Sequence, residues 1–142
     1  MPASARTTAV LVDTSVAVAL VVADHDHHKD TFQALRGRTL GLAGHAAFET
    51  FSVLTRLPPP ARRAAATVTQ LLAATFPETR FLGSRAAASL VTMLGATGIA
   101  GGAVYDALVG ATAREHRLTL VTRDRRALEV YRRLEVEVEL LG

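Results

Sequence analysis

The chain has 142 residues, the length of one ordinary domain, and with 49% hydrophobic and 20% charged residues it is expected to fold as a globular protein. It contains no cysteine, which excludes disulfides, thiolate metal sites and cysteine nucleophiles. The formal net charge is +3, from 16 basic and 13 acidic residues, and it is a mild indication of a polyanionic partner.

The first half of the chain alternates short apolar runs with amphipathic segments. Residues 9–12 are apolar and are followed by Asp13, Thr14 and Ser15, a pattern typical of a buried strand leading into a helix N-cap. The apolar run after them is far shorter than the roughly 20 residues of a membrane span, so neither a span nor a signal peptide is predicted. Further helices are predicted over residues 16–23, 28–36, 46–57 and 61–76, and a second strand over 40–43.

The second half continues the alternation. The patterns predict a weak strand over residues 80–83, helices over 86–94, 103–116 and 125–134, a glycine-rich loop over 95–102 and a strand over 118–122. Residues 135–140 alternate glutamates with apolar residues, which is typical of a half-exposed strand at a sheet edge. The order of elements predicts one α/β sandwich over residues 1–142 with a mostly parallel central sheet, in which residues 1–8 form a flexible tail.

Isolated acidic residues are the most informative feature of the sequence. Asp13 is the only charged residue between Arg6 and Asp24, and Asp106 is equally isolated in its own part of the chain. A carboxylate in apolar surroundings is unfavourable unless it is hydrogen-bonded, paired or bound to a metal. The candidate site residues are Asp13, Glu49, Asp106 and Asp124.

The predicted elements bring these acids toward one edge of the sheet. Asp13 and Asp124 each follow a strand, and ligands of parallel α/β sheets bind beyond the carboxyl ends of the strands. Clustered carboxylates stay ionised when a cation lies among them, and Mg²⁺ or Mn²⁺ prefers oxygen ligands. Together with the basic surroundings, such a cluster predicts hydrolysis of a phosphodiester.

Each acid also has a plainer interpretation that the residues alone leave open. Asp13 suits a helix cap, and Asp124 suits a turn between arginines. Glu49 is placed to pair with Arg56 or to face water. Asp106 is the hardest to explain locally, because its nearest charged neighbours in sequence are 21 and 8 positions away.

The ordered motifs resemble those of a known family. They are Asp13-Thr14-Ser15 after the first strand, the stretch over residues 44–58 that contains Glu49, Tyr105-Asp106-Ala107, and the segment over residues 120–124 that ends in Asp124. Together they resemble a PIN domain, and more narrowly the VapC-type toxins of type II toxin–antitoxin systems. The resemblance spans nearly the whole chain.

The resemblance implies a cytoplasmic, Mg²⁺-dependent endoribonuclease that cleaves a structured RNA, either a tRNA or ribosomal RNA, and leaves a 5′-phosphate. It also implies a homodimer held inactive by a cognate VapB-type antitoxin. By position, Asp13 and Asp106 would be the metal ligands, and Glu49 and Asp124 would complete the acidic set. Ser15 and Thr122 match hydroxyl positions that order the site.

Three arginines near the last acid are candidates for contacts with RNA phosphates: Arg123, Arg125 and Arg126. Two other functions remain open at this point. One is an RNA-binding regulatory module without catalysis, and the other is a phosphatase with Asp13 as nucleophile. The phosphatase interpretation gives no role to Glu49, and a hydroxyl residue, Ser15, occupies the place of the second aspartate that it requires.

Overall fold

The structure is a computed structural model that describes residues 8–142. Within this part of the chain, four strands lie at Val10–Val12 (β1), Leu40–Leu42 (β2), Leu120–Thr122 (β3) and Val138–Leu140 (β4). The α-helices of the same part are Thr14–Val21 (α1), His28–Leu35 (α2), His45–Thr55 (α3), Ala65–Thr75 (α4), Ser84–Thr97 (α5), Ala103–His116 (α6) and Leu128–Arg133 (α7). A 3₁₀ turn at Arg125–Ala127 leads directly into α7.

The four strands form one parallel sheet in the order β2-β1-β3-β4. Both central strands, β1 and β3, are buried along their whole length, as expected for parallel strands covered on both faces. β4 lies at an edge and is only half-buried. The predicted parallel sheet and the predicted edge strand are therefore confirmed.

Side chains of β1 alternate between two hydrophobic cores. Leu11 packs into the core formed largely with α6 and α7, whereas Val10 and Val12 pack into the core on the other face. This alternation follows from the two-residue period of a strand. Helices thus cover both faces of the sheet, and the architecture is the predicted α/β sandwich.

Several predicted boundaries are wrong. The strand predicted over residues 80–83 is reduced to one bridge, between Ala43 and Arg80. The following helix begins earlier than expected, at Ser84, and runs through part of the predicted glycine-rich loop. α4 begins at Ala65 rather than at residue 61.

The predicted tail over residues 1–8 lies outside the described residues, except for Thr8. Among residues 8–142, no helix is both long enough and apolar enough to cross a membrane.

Candidate active site

Asp13 occupies the carboxyl end of β1 and is the N-cap of α1. Its side chain is buried, with an exposed fraction of 4%, and both of its oxygens accept hydrogen bonds. Oδ1 accepts from the Ser15 hydroxyl at 2.6 Å and from the Val16 backbone N–H at 3.3 Å. Oδ2 accepts from the Thr122 hydroxyl at 2.5 Å and from the Tyr131 hydroxyl at 2.9 Å. The cap interpretation of Asp13 is therefore correct, but it explains only one of four donors.

The two short side chains that bond Asp13 are oriented by the backbone that follows β3. The Ser15 hydroxyl accepts from the Arg123 backbone N–H at 3.0 Å, and the Thr122 hydroxyl accepts from the Asp124 backbone N–H at 3.0 Å. Since each hydroxyl oxygen accepts one of these bonds, its own proton is directed at Asp13. The chain following β3 thus helps to hold the carboxylate at the end of β1.

Burial raises the pKa of Asp13 above its ordinary value of 3.8, because a buried carboxylate loses its hydration. The hydrogen bonds from Ser15, Thr122, Tyr131 and Val16 oppose this increase, since they stabilise the charged form. The net effect is that the pKa of Asp13 is raised. The site therefore holds a carboxylate that gains from a further positive charge nearby.

Asp106 lies in the first turn of α6 and is half-buried. Burial also raises its pKa above 3.8, and the Arg126 guanidinium lowers it. The charges of the three other predicted acids, Asp124, Glu49 and Asp13, raise the pKa of Asp106 further. The structure thus brings all four acids into one electrostatic neighbourhood, as the sequence predicts.

Glu49 projects from α3 at the margin of this cluster. Its Oε1 accepts from the Thr14 hydroxyl at 2.9 Å, and its Oε2 lies 3.9 Å from His45 Nε2. Among the contacts of the described residues, these partners replace the Arg56 pairing considered from the sequence. Glu49 is therefore tied to α1, the helix that Asp13 caps.

Asp124 is held by its own turn. Oδ1 accepts from the Arg126 backbone N–H at 2.9 Å, and Oδ2 pairs with the Arg126 guanidinium at 3.1 Å. The turn interpretation of Asp124 is therefore correct, although the same carboxylate also acts electrostatically on Asp106.

The predicted RNA-contacting arginines differ in their surroundings. Arg126 forms an ion pair with Asp124, and 81% of its side chain is exposed. The Arg123 guanidinium donates to the Thr31 hydroxyl at 3.3 Å, and the Arg125 guanidinium donates to the Gly142 carbonyl at 3.3 Å. Arg126 is thus the arginine whose charge acts directly on the acidic cluster.

The donor set consists of oxygens and fits a hard divalent cation. In residues 8–142, no three His, Asp or Glu side chains form a ready-made metal cage. Mg²⁺ commonly binds through one or two carboxylates and completes its shell with water and substrate phosphate, so a cage is not required. A cation near Asp13 and Asp106 would offset the charge repulsion that raises the pKa of Asp106.

Sequence motifs do not reveal two contacts of the site, those of Thr14 and Tyr131. Thr14 belongs to the Asp-Thr-Ser motif, but nothing in that motif indicates that its hydroxyl binds Glu49. Tyr131 lies on α7, 118 positions after the aspartate that it contacts. No local pattern signals a contact of that range, so only the folded chain could reveal it.

Known proteins resemble this chain over most of its length. The profile of the PIN domain family matches residues 10–133. Ribonuclease VapC27 of Mycobacterium tuberculosis is 45% identical over 127 residues, covering 89% of this chain and 93% of the relative. Ribonuclease VapC40 of the same organism is 47% identical over 131 residues, covering 91% of this chain and 96% of the relative.

Solved structures share the fold at low sequence identity. The VapBC2 structure of Rickettsia felis, bound to a DNA fragment from its promoter, matches with a TM-score of 0.67 and 16% identity, over 95% of this chain and all of that one. VapC20 of M. tuberculosis, a sarcin-ricin loop cleaving toxin, matches with a TM-score of 0.65 and 19% identity, over 84% of this chain and 93% of that one. FitAcB of Neisseria gonorrhoeae matches with a TM-score of 0.64 and 18% identity, over 91% of this chain and 95% of that one.

The family profile covers most of the chain, and the two ribonucleases are similar over nearly their full length. The chain therefore belongs to the PIN domain family and, within it, to the VapC ribonucleases. Its class is that of the ribonuclease toxins of VapBC systems, as the sequence motifs predict.

Proposed function

We propose that this ribonuclease is a Mg²⁺-dependent endonuclease that cleaves a structured RNA, with Mn²⁺ as a possible substitute metal. The observation that carries the proposal is the acidic neighbourhood around Asp106, whose pKa is raised by burial and by three other carboxylates. Such a group of oxygens gains most from a divalent cation. The relatives' names support RNA as the substrate.

In this proposal, Asp13 and Asp106 hold the metal, and Glu49 and Asp124 act through water molecules. When bound, Mg²⁺ would supply an activated water and neutralise the charge that develops on the phosphate. Ser15 and Thr122 keep the Asp13 carboxylate in place through hydrogen bonds to both of its oxygens. These two residues are therefore positioning groups.

Arg126 is the best candidate for a contact with the RNA backbone. Its side chain is largely exposed and its guanidinium lies 3.1 Å from Asp124, beside the acidic cluster. An arginine there attracts a phosphate toward a site that is otherwise negative. Arg123 and Arg125 are second candidates, since both hydrogen-bond within the protein.

The phosphatase alternative is less well supported by the residues of the site. It requires a second aspartate two positions after Asp13, where this chain has Ser15, and it gives no role to Glu49. Metal dependence of cleavage separates the proposed nuclease from an RNA-binding module without catalysis.

The proposed partners are a VapB-type antitoxin and a second copy of this chain. The antitoxin proposal draws on the VapBC2 assembly of R. felis, which has the same fold. For the homodimer, the candidate interface is the exposed aromatic surface, defined here as Phe48 of α3 and Phe81 of the segment before α5. They are 65% and 53% exposed, with ring centroids 6.0 Å apart. Exposed apolar groups of this kind mark interaction surfaces.

The test is induced expression of the unmodified chain and of the Asp106→Asn variant, followed by sequencing of new 5′-phosphate RNA ends. We expect growth arrest and discrete ends with the unmodified chain only. Purified protein should cleave the identified RNA with Mg²⁺ and stop in EDTA. Equal behaviour of both chains, or RNA binding without new ends, would favour the binding module. An aspartyl-phosphate on Asp13 would favour the phosphatase.

A further inference from the structure

Tyr131 is a buried side chain of α7 that the sequence motifs leave without a role. It is 1% exposed, and its hydroxyl donates to Asp13 Oδ2 at 2.9 Å. Burial and the neighbouring Asp13 charge both raise its pKa, so the phenol keeps its proton and remains a donor. Tyr131 is thus a neutral donor directed at the most buried acid of the site.

The ring of Tyr131 is fixed by close packing against α6. Gly110 of that helix comes so near that an added Cβ would lie 3.1 Å from Tyr131 Cδ1 and 3.0 Å from Leu134 Cδ1. A larger residue at position 110 would therefore press on the ring. Because the phenol has little room to move, its hydroxyl is held at one place beside Asp13.

The same helix carries the second proposed metal ligand. Asp106 and Gly110 are four positions apart on α6, so they lie on one face of the helix. Tyr131 packs at Gly110 and hydrogen-bonds to Asp13. It therefore connects α6, which carries Asp106, to the end of β1, which carries Asp13.

We propose that Tyr131 is a positioning residue for the divalent cation, setting the Asp13 carboxylate relative to Asp106. The inference rests on the proposed function, because it presupposes a cation at these two acids. Hydrogen-bond donors that orient a ligating carboxylate typically change metal affinity by about 10- to 100-fold when they are removed. Loss of the Tyr131 hydroxyl should therefore weaken metal binding by about tenfold.

The test compares Mn²⁺ binding, by electron paramagnetic resonance of the free ion, in the unmodified protein, Tyr131→Phe and Thr50→Val. Thr50→Val is the matched control, because it also removes a buried hydroxyl, and that hydroxyl has no hydrogen-bond partner among the described residues. We expect the Kd for Mn²⁺ to rise about tenfold in Tyr131→Phe and to stay unchanged in Thr50→Val. Thermal unfolding without metal checks that both variants are folded.

A spectroscopic readout does not depend on the stability of Tyr131→Phe. The chain has two tyrosines and no tryptophan, so Tyr105→Phe leaves Tyr131 as the only tyrosine. We expect Mg²⁺ to change the near-ultraviolet absorbance of Tyr105→Phe, because the cation alters the charge that the phenol contacts. No change at saturating Mg²⁺ would overturn the inference even if Tyr131→Phe failed to fold.

The measured Kd for Mn²⁺ also separates the possible outcomes. An unchanged Kd in a folded Tyr131→Phe protein would show a role in packing only and overturn the inference. Tighter binding would also overturn it, since the phenol would then compete with the cation for an Asp13 oxygen. If the unmodified protein bound no divalent cation, the proposed function would fail first and this inference with it.

Discussion

The polar network around Asp13 shows how single residues make a buried charge tolerable. Four donors reach the two carboxylate oxygens, and the backbone after β3 orients two of them. Burial nevertheless has a larger effect on the pKa of Asp13 than these hydrogen bonds, since the pKa is raised. Each donor should therefore be energetically important, because a buried carboxylate that loses one is left incompletely solvated.

The Thr122→Val variant tests the energetic importance of one hydrogen-bond donor to Asp13. Valine preserves the shape of the side chain but removes the hydroxyl that donates to Asp13 and accepts from the Asp124 backbone N–H. We expect the free energy of unfolding to fall by about 1–3 kcal/mol, measured by urea denaturation. Thr50→Val is the control and should be close to neutral, because its hydroxyl has no hydrogen-bond partner within residues 8–142.

The pH dependence of stability should reveal the raised pKa of Asp106. In the unfolded chain this carboxyl loses its proton near its ordinary pKa of 3.8, whereas in the folded chain it does so at higher pH. Stability is therefore lost as pH rises from the unfolded value through the folded one. In EDTA, Asp106→Asn should gain stability relative to the unmodified protein over that interval, by a few degrees in Tm.

The comparison of the two proteins removes the contributions of acids distant from the site, which both share. A difference in Tm that stays constant from acid to neutral pH would contradict a raised pKa of Asp106. Added Mg²⁺ should stabilise the unmodified protein more than Asp106→Asn, because a ligand that binds only the folded state raises its stability.

At the scale of elements, the structure depends on close backbone approaches that periodicity does not report. The segment after α4 passes directly over β2, with the Glu78 backbone N–H donating to the Leu40 carbonyl at 3.0 Å. A Cβ on Gly41 would lie 2.1 Å from the Glu78 carbonyl oxygen. Glycine is needed there because the two backbones touch.

Gly41→Ala should consequently be strongly destabilising. The added methyl group would have to push backbone aside, and overpacking of this kind costs about 1–3 kcal/mol or more. Gly95→Ala is a matched control, because Gly95 lies inside α5 and a Cβ there would meet nothing within 4 Å. It should stabilise the protein by about 0.5–1 kcal/mol, since alanine favours helix. Denaturant midpoints measure both changes.

At the scale of the whole molecule, the arrangement of exposed aromatic rings bears on assembly. The exposed aromatic surface combines Phe48 of α3, the helix that also carries Glu49, with Phe81 of the segment before α5. Phe32, which is 53% exposed, lies on α2. Apolar rings in water are unfavourable, so a partner that covers them gains free energy. We expect this surface to be covered in the homodimer.

Phe48→Ser should shift the protein toward monomer, as measured by sedimentation velocity over a range of concentrations. Phe32→Ser is the control with a similar loss of exposed apolar area and should leave the association unchanged. A dimer that survives Phe48→Ser and Phe81→Ser together would place the interface elsewhere. A chain that is monomeric without any substitution would contradict the homodimer itself.

Much of the fold could be predicted because its signals are local. The apolar runs identified the strands that became β1, β2 and β3, and the alternation of residues 135–140 identified the edge strand β4. The strand predicted over residues 80–83 failed because its backbone meets the sheet at one bridge only. Strand formation depends on an adjacent strand that supplies backbone hydrogen bonds, and the sequence does not identify that strand.

The sequence by itself identified the four acids that the structure brings together, because isolated carboxylates in apolar surroundings are visible without a structure. It also determined the order of elements that carries Asp13 and Asp124 to one edge of the sheet. Only the tertiary structure decided how those acids are held. Thr122 and Tyr131 reach Asp13 from 109 and 118 positions away, and hydrogen bonds of that range exist only once the chain has folded.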